Sequence, residues 1–164
     1  VVDGARRFGN GFCLPAGPLR EPVRRMNKVD LIVTNGLAAH NNEFAMQYVG
    51  DTLVNLLDEN QTCSLAELRG KGVHAIAGVG NPQRFFERLM QAGLDVREHR
   101  FPDHHLYLPR DLDYGKSVPI IMTEKDAVKC KRFAHENMWY LPITVRLEDE
   151  FEQQLLKRIE SRNG

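Results

Sequence analysis

Short runs rich in β-branched residues alternate with segments of helical periodicity along most of the chain. That alternation constrains the fold more than any other feature, because it is the pattern of a mostly parallel sheet covered by helices. The strand candidates are Asp30–Thr34, Val73–Ala77, Val96–Phe101 and Val118–Thr123. Helix-start signals separate them. Ser64 and Glu67 form a capping-box pair, in which hydroxyl and carboxylate each satisfy a backbone amide that the first turn leaves without a partner. Asn81 stands as a cap before Pro82, and Phe85, Phe86, Leu89 and Met90 form an apolar stripe ending at Gly93. Lys125–Ala134 and Glu148–Arg162 read as two more helices, and a shorter one lies around Val23–Met26. Glu43–Leu57 breaks the pattern by alternating Phe44, Met46 and Tyr48 with polar neighbours, which predicts an antiparallel hairpin or edge-strand pair. Leu141–Val145 adds a further strand candidate. The expected fold class is α/β, Rossmann-like, with flanking helices and a small antiparallel hairpin. The sequence holds no internal repeat and no low-complexity linker.

At 164 residues the chain is long enough for one ordinary domain with a real core. Lys plus Arg and Asp plus Glu balance at 22 each, which removes the simplest electrostatic case for nucleic-acid binding. Cys13, Cys63 and Cys130 are odd in number and far apart, so they suggest neither a disulfide framework nor a zinc site, and a reducing cytoplasm is the natural compartment. No run approaches the roughly 20 apolar residues that a spanning helix needs, and no secretory signal opens the chain. Val1-Val2-Asp3-Gly4 looks like the end of a strand entering a loop, so the expectation is a fragment whose amino-terminal portion has been removed.

In an open parallel sheet, ligands bind beyond the carboxyl ends of the strands. Four polar clusters follow the four strand candidates: Asn35-Gly36, Gly78-Val79-Gly80-Asn81, Asp103-His104-His105 and Glu124-Lys125-Asp126. If the strands share one sheet, the clusters share one edge. Asp103, His104 and His105 are the strongest chemical triplet, since a carboxylate beside an imidazole can orient it and move a proton near neutral pH. They could equally be metal ligands or a polar loop after Pro102. Arg20 and Glu21 end the stiff segment Leu14-Pro15-Ala16-Gly17-Pro18-Leu19, where an arginine suits bidentate contact with a phosphate or carboxylate. The alternative is an ion pair or a helix-dipole role for Glu21. Capping accounts for most of the Glu124-Lys125-Asp126 cluster. Arg24, Arg25 and Lys28 read as a solvated helix face, with a headgroup-facing role as the alternative. No phosphate-binding loop of the Gly-x-x-x-x-Gly-Lys-Ser/Thr type occurs in the sequence.

Taken together, VVDGARRFGNG (Val1–Gly11), LPAGPLRE (Leu14–Glu21), AGVGNPQRFF (Ala77–Phe86), FPDHH (Phe101–His105), MTEKDAVKC (Met122–Cys130) and WYLP (Trp139–Pro142) resemble one family, the tetraacyldisaccharide 4'-kinases of lipid A biosynthesis. The motifs occur in the family's order to about Pro142. The resemblance implies a two-lobed P-loop kinase whose amino-terminal lobe carries the Walker loop, the Mg²⁺-binding acidic residues and a membrane-associated helix, all preceding Val1. It implies transfer of the γ-phosphoryl of ATP to the 4'-hydroxyl of tetraacyldisaccharide 1-phosphate, at the cytoplasmic face of a Gram-negative inner membrane. His104 then matches a histidine that pairs with an aspartate of the other lobe to activate the acceptor hydroxyl, with Asp103 supporting it. Arg20 and Glu21 match a substrate-contacting position. The expected organisation is an inter-lobe loop and first helix over 1–28 and an α/β lobe over 29–164, one structural domain overall. Neither ATP, Mg²⁺ nor another metal is expected to bind this chain tightly, and the isolated chain is expected to be inactive and soluble, with membrane association left to the missing lobe. Two rival readings are a non-catalytic α/β module and a manganese-dependent phosphoesterase built on Asp103-His104-His105.

Overall fold

The computed structural model describes residues 1–36, 40, 42–115 and 117–162. In chain order the strands are β1 (Val2–Asp3), β2 (Ile32–Asn35), β3 (Glu43–Val49), β4 (Thr52–Asn55), β5 (Thr62–Ser64), β6 (Gly72–Ala77), β7 (Asp95–Arg100), β8 (Ile120–Thr123), β9 (Met138–Leu141) and β10 (Thr144–Leu147). The α-helices are α1 (Gln83–Gln91), α2 (Glu124–Cys130) and α3 (Asp149–Arg162). Contacts group the chain into two compact units, Gly50–Ile143 and the combination of Val1–Val49 with Thr144–Gly164. Thr144–Gly164 joins the first unit because β10 returns to pair antiparallel with β3.

The unit Gly50–Ile143 is built on a six-stranded sheet of order β5-β4-β9-β8-β6-β7. Its β7, β6, β8 and β9 run parallel, and β4 and β5 close the other edge antiparallel. Alternation along β6 and β8 sends side chains to both faces, and both faces are apolar, as a parallel sheet between helices requires. Val73, Ala75, Ala77 and Ile121 pack with Phe86 and Leu89 of α1 on one face. Ile76, Ile120 and Met122 pack with Ala127 and Cys130 of α2 and with Tyr107 on the other.

The second unit holds a four-stranded sheet of order β1-β2-β3-β10 with α3 packed through an edge-to-face contact of Phe44 with Phe151, ring centroids 5.4 Å apart. Arg7 donates two hydrogen bonds, of 2.8 and 2.7 Å, to the buried carboxylate of Glu43, and Thr34 Oγ1 donates a third of 2.8 Å. That network draws the first residue of β3 against β2.

Three sequence expectations change. Glu43–Leu57 does not fold back on itself, because Gly50, at φ 107°, turns the chain so that β3 and β4 enter different sheets. The antiparallel hairpin of this region is β4 with β5. Leu141–Val145 is interrupted at Pro142, whose missing N–H cannot continue a ladder; β9 ends before it and β10 begins after Ile143. Asn81 does not cap α1: Pro82 occupies the cap position and no side chain caps the helix there. The capping box of Ser64 and Glu67 forms as read, on a short 3₁₀ helix, Leu65–Leu68.

On the α2 side of the six-stranded sheet, His74 Nδ1 and His99 Nε2 lie 2.8 Å apart, and the Tyr114 ring stacks on both at centroid distances of 4.6 and 4.0 Å. Burial pushes both imidazoles below their ordinary value of 6.5, with Arg97 adding to the effect on His74, and His74 to that on His99. The N···N bond needs one donor and one lone pair, so protonating both rings breaks it. The unfolded chain therefore binds more protons than the folded one below the ordinary value, and stability falls as pH drops from there through the lowered folded values. Denaturant midpoints compared at about pH 7.5 and about pH 5 are expected to show this loss, with a shallower dependence in His99→Gln.

Candidate functional site

The carboxyl ends of β6, β7 and β8 meet at one edge of the six-stranded sheet, and three of the four polar clusters gather there. Asn35-Gly36 is the exception, since β2 belongs to the other sheet. Asp126 organises the edge. Its buried carboxylate accepts the Gly78 amide at 2.8 Å and the Thr123 hydroxyl at 2.7 Å, and pairs with Lys129 Nζ at 3.0 Å. Thr123 Oγ1 in turn accepts the Asp126 amide and caps α2. One side chain thus ties the loop after β6 to the start of α2. Gly78 has no room for a side chain: a Cβ there would stand 2.8 Å from Tyr107 Oη and 3.1 Å from Asp126 Oδ1.

After β7 the chain returns from the sheet through Pro102. The Phe101 amide donates to the Ala77 carbonyl and the His105 amide to the Pro102 carbonyl, closing a tight turn. His104 sits in it at φ 63°, the left-handed region that non-glycine residues enter at a cost, and such outliers gather at functional sites. Asp103 Oδ1 accepts the His104 amide at 3.1 Å and Lys125 Nζ at 2.8 Å, while Oδ2 lies 3.6 Å from His104 Nε2. The Lys125 hydrogen bond, ahead of the His104 contribution, holds the Asp103 carboxyl below the usual carboxylate range. The His104 side chain is 79% exposed.

His105 takes a different direction. Its Nε2 meets Asp111 Oδ2 at 3.1 Å, and its ring lies 4.7 Å from that of Phe101. The triplet therefore does not converge on one point. Among the described residues no group of three His, Cys, Asp or Glu is arranged to hold a metal ion.

Arg20 and Glu21 lie in the other unit, on a loop stapled by Asn10, whose side chain donates to the Ala16 carbonyl and accepts the Phe12 amide. A bridge between Cys13 and Leu19 closes it. Arg20 is exposed, and Glu21, just before a 3₁₀ helix over Val23–Lys28, pairs with Arg25 in it at 3.1 Å. Sequence reading missed Lys125 as a partner of Asp103 and gave Asp126 only its capping role. Thr123 three residues before Asp126 is a local signal of the cap, whereas nothing in the local pattern signals the reach to Gly78 or to Asp103.

A model of the family described as tetraacyldisaccharide-1-P 4'-kinase matches residues 1–160. This chain belongs to that family. A tetraacyldisaccharide 4'-kinase of Methylobacillus flagellatus is 46% identical over 159 residues, 97% of this chain and 48% of the relative. One from Nitrosococcus oceani is 46% identical over 98% of this chain and 47% of its own length. The chain thus spans about half the length of the tetraacyldisaccharide 4'-kinases it matches. A crystal structure of LpxK from Aquifex aeolicus, described as an "apo" form in complex with ATP, shares the fold at TM-score 0.65 and 27% identity, covering 92% of this chain and 49% of that one. No described helix is long and apolar enough to cross a membrane.

Proposed function

We propose that this chain is the carboxy-terminal half of an ATP-dependent kinase that phosphorylates the 4'-hydroxyl of tetraacyldisaccharide 1-phosphate at the cytoplasmic face of the bacterial inner membrane. The observation that carries the reading is the family match across residues 1–160, which includes an exposed Asp103–His104 pair at the carboxyl edge of a parallel sheet. In this reading His104 takes the proton of the acceptor hydroxyl as its oxygen forms the new bond to phosphorus and ADP departs. Asp103 orients the imidazole. Arg20, on its stapled loop, takes a phosphate or sugar oxygen of the lipid, with Glu21 beside it. ATP and Mg²⁺ are held by the half that the relatives possess and this chain does not match. Phosphoryl transfer depends on positioning and charge neutralisation, so the isolated chain is inactive.

The test is ATP-dependent phosphorylation of tetraacyldisaccharide 1-phosphate by a full-length protein containing this chain, with the chain alone as the second arm. Turnover in the first arm alone is the expected result, and absence of turnover in both overturns the kinase reading. Within the active protein, Arg20→Ala is expected to raise KM for the lipid about tenfold or more while kcat changes less, as loss of a charge-assisted contact made in ground and transition states requires. An unchanged KM removes Arg20 from the substrate site.

A further inference from the structure

We propose that Lys125 is a positioning residue of this site, fixing Asp103 so that one carboxylate oxygen holds the turn and the other faces the His104 imidazole. The proposal rests on the functional reading above for its kinetic consequence, and on geometry alone for the arrangement itself.

An exposed ion pair is ordinarily of little consequence, because solvent and salt screen it, and Lys125 and Asp103 are both near half exposure. Three observations separate this pair from that kind. First, the oxygen that Lys125 engages, Oδ1, also accepts the His104 amide, so the lysine acts on the carboxylate that sustains a left-handed non-glycine residue. Second, the division of labour between the two oxygens is directional. With Oδ1 taken by Nζ at 2.8 Å and by the amide at 3.1 Å, Oδ2 is left 3.6 Å from His104 Nε2, a distance that a small adjustment converts to a hydrogen bond.

Third, Lys125 does not reach Asp103 from a mobile element. It is the second residue of α2, and both flanking residues are anchored: Glu124 Oε2 accepts the Ile143 amide at 3.0 Å, and Asp126 is the buried hub bonded to Gly78 and Thr123. The Asp103–His104 turn is anchored on its far side through His105, bonded to Asp111 and packed on Phe101 and Tyr107. Lys125 therefore connects the fixed start of α2 to the one part of the turn that faces solvent. A flexible lysine acquires positional meaning because everything at its base is rigid.

Removing the ammonium has two consequences. The Asp103 carboxyl loses the contact that holds it low, and its negative charge, no longer shared, acts on the imidazole beside it. The substitutions Lys125→Gln and Lys125→Arg separate charge from geometry, since arginine keeps the charge and a donor while glutamine keeps neither the charge nor the full reach.

The experiment has two arms. In this chain, carboxyl-detected NMR titration of Asp103 is expected to move upward in Lys125→Gln and to remain near the unsubstituted chain in Lys125→Arg, with the His104 amide resonance displaced in the glutamine variant. In the full-length protein, Lys125→Gln is expected to lower kcat about tenfold with KM for lipid and ATP nearly unchanged, and to move the acidic limb of the kcat/KM profile to higher pH, with Lys125→Arg restoring most of both. An Asp103 titration that is the same with and without Lys125 overturns the proposal. So does a displaced titration accompanied by an unchanged rate and pH profile. A full-length protein without kinase activity sinks the functional reading instead, and the NMR arm then decides by itself whether Lys125 orders the Asp103–His104 pair.

Discussion

In a full-length protein containing this chain, His104→Ala is expected to lower kcat for lipid phosphorylation by about 10²–10⁴-fold, the range over which a positioned general base contributes. KM for the lipid should change little, because the imidazole acts on the hydroxyl proton in the transition state and not on the bulk of the substrate. The side chain is largely exposed and makes no packing contribution that alanine would forfeit, so circular dichroism and denaturant midpoints of the variant should match the unsubstituted protein. Alanine in fact relieves nothing at φ 63°, where any residue with a Cβ is disfavoured, and the comparison therefore isolates the imidazole. Steady-state phosphorylation rates with saturating ATP check the prediction, and a rate within about threefold of the unsubstituted protein would remove His104 from the proton transfer.

Asp126→Ala is expected to be the most destabilising single change at this edge, by about 3–5 kcal/mol, because it strands a partly buried Lys129 ammonium, a Gly78 amide and the Thr123 hydroxyl around a fully buried position. Asp126→Asn keeps a similar shape but can present only one acceptor oxygen where three donors converge, and a loss of about 1–3 kcal/mol follows. Urea denaturation of the chain measures both. The order Ala worse than Asn is the informative outcome. Equal losses for the two would mean that shape alone, and not the hydrogen-bonded charge, holds the loop after β6 to α2.

These two residues also differ in how they could be found. His104 stands out in sequence, since an imidazole beside a carboxylate after a strand is a chemical signature whatever the fold. Asp126 looked like a first-turn carboxylate, and it is one; its contacts with Gly78, 48 positions away, give it the larger role. Lys125 was hidden for the same reason, its partner Asp103 lying 22 positions upstream. Glu21 matched a substrate-contacting position only through the resemblance, and its side chain pairs with Arg25 at 3.1 Å, the ion-pair alternative that its chemistry allowed.

What the sequence determined by itself is local. Short β-branched runs placed the parallel strands to within about two residues, the Ser64 and Glu67 pair announced its capping box, and the order of short motifs pointed to the family. The strand and cap signals are each complete within a window of a few residues, because pleat, helical turn and cap geometry are set by neighbours along the chain. Tertiary structure alone decided the rest. It sent β3 and β4 into different sheets at Gly50, divided the polar clusters between two units, and turned His105 toward Asp111 while leaving His104 outside. These outcomes depend on which strands become neighbours in the order β5-β4-β9-β8-β6-β7, and that order follows from burying both faces of a sheet at once. Burial is a property of the whole packed chain, so no short segment contains it.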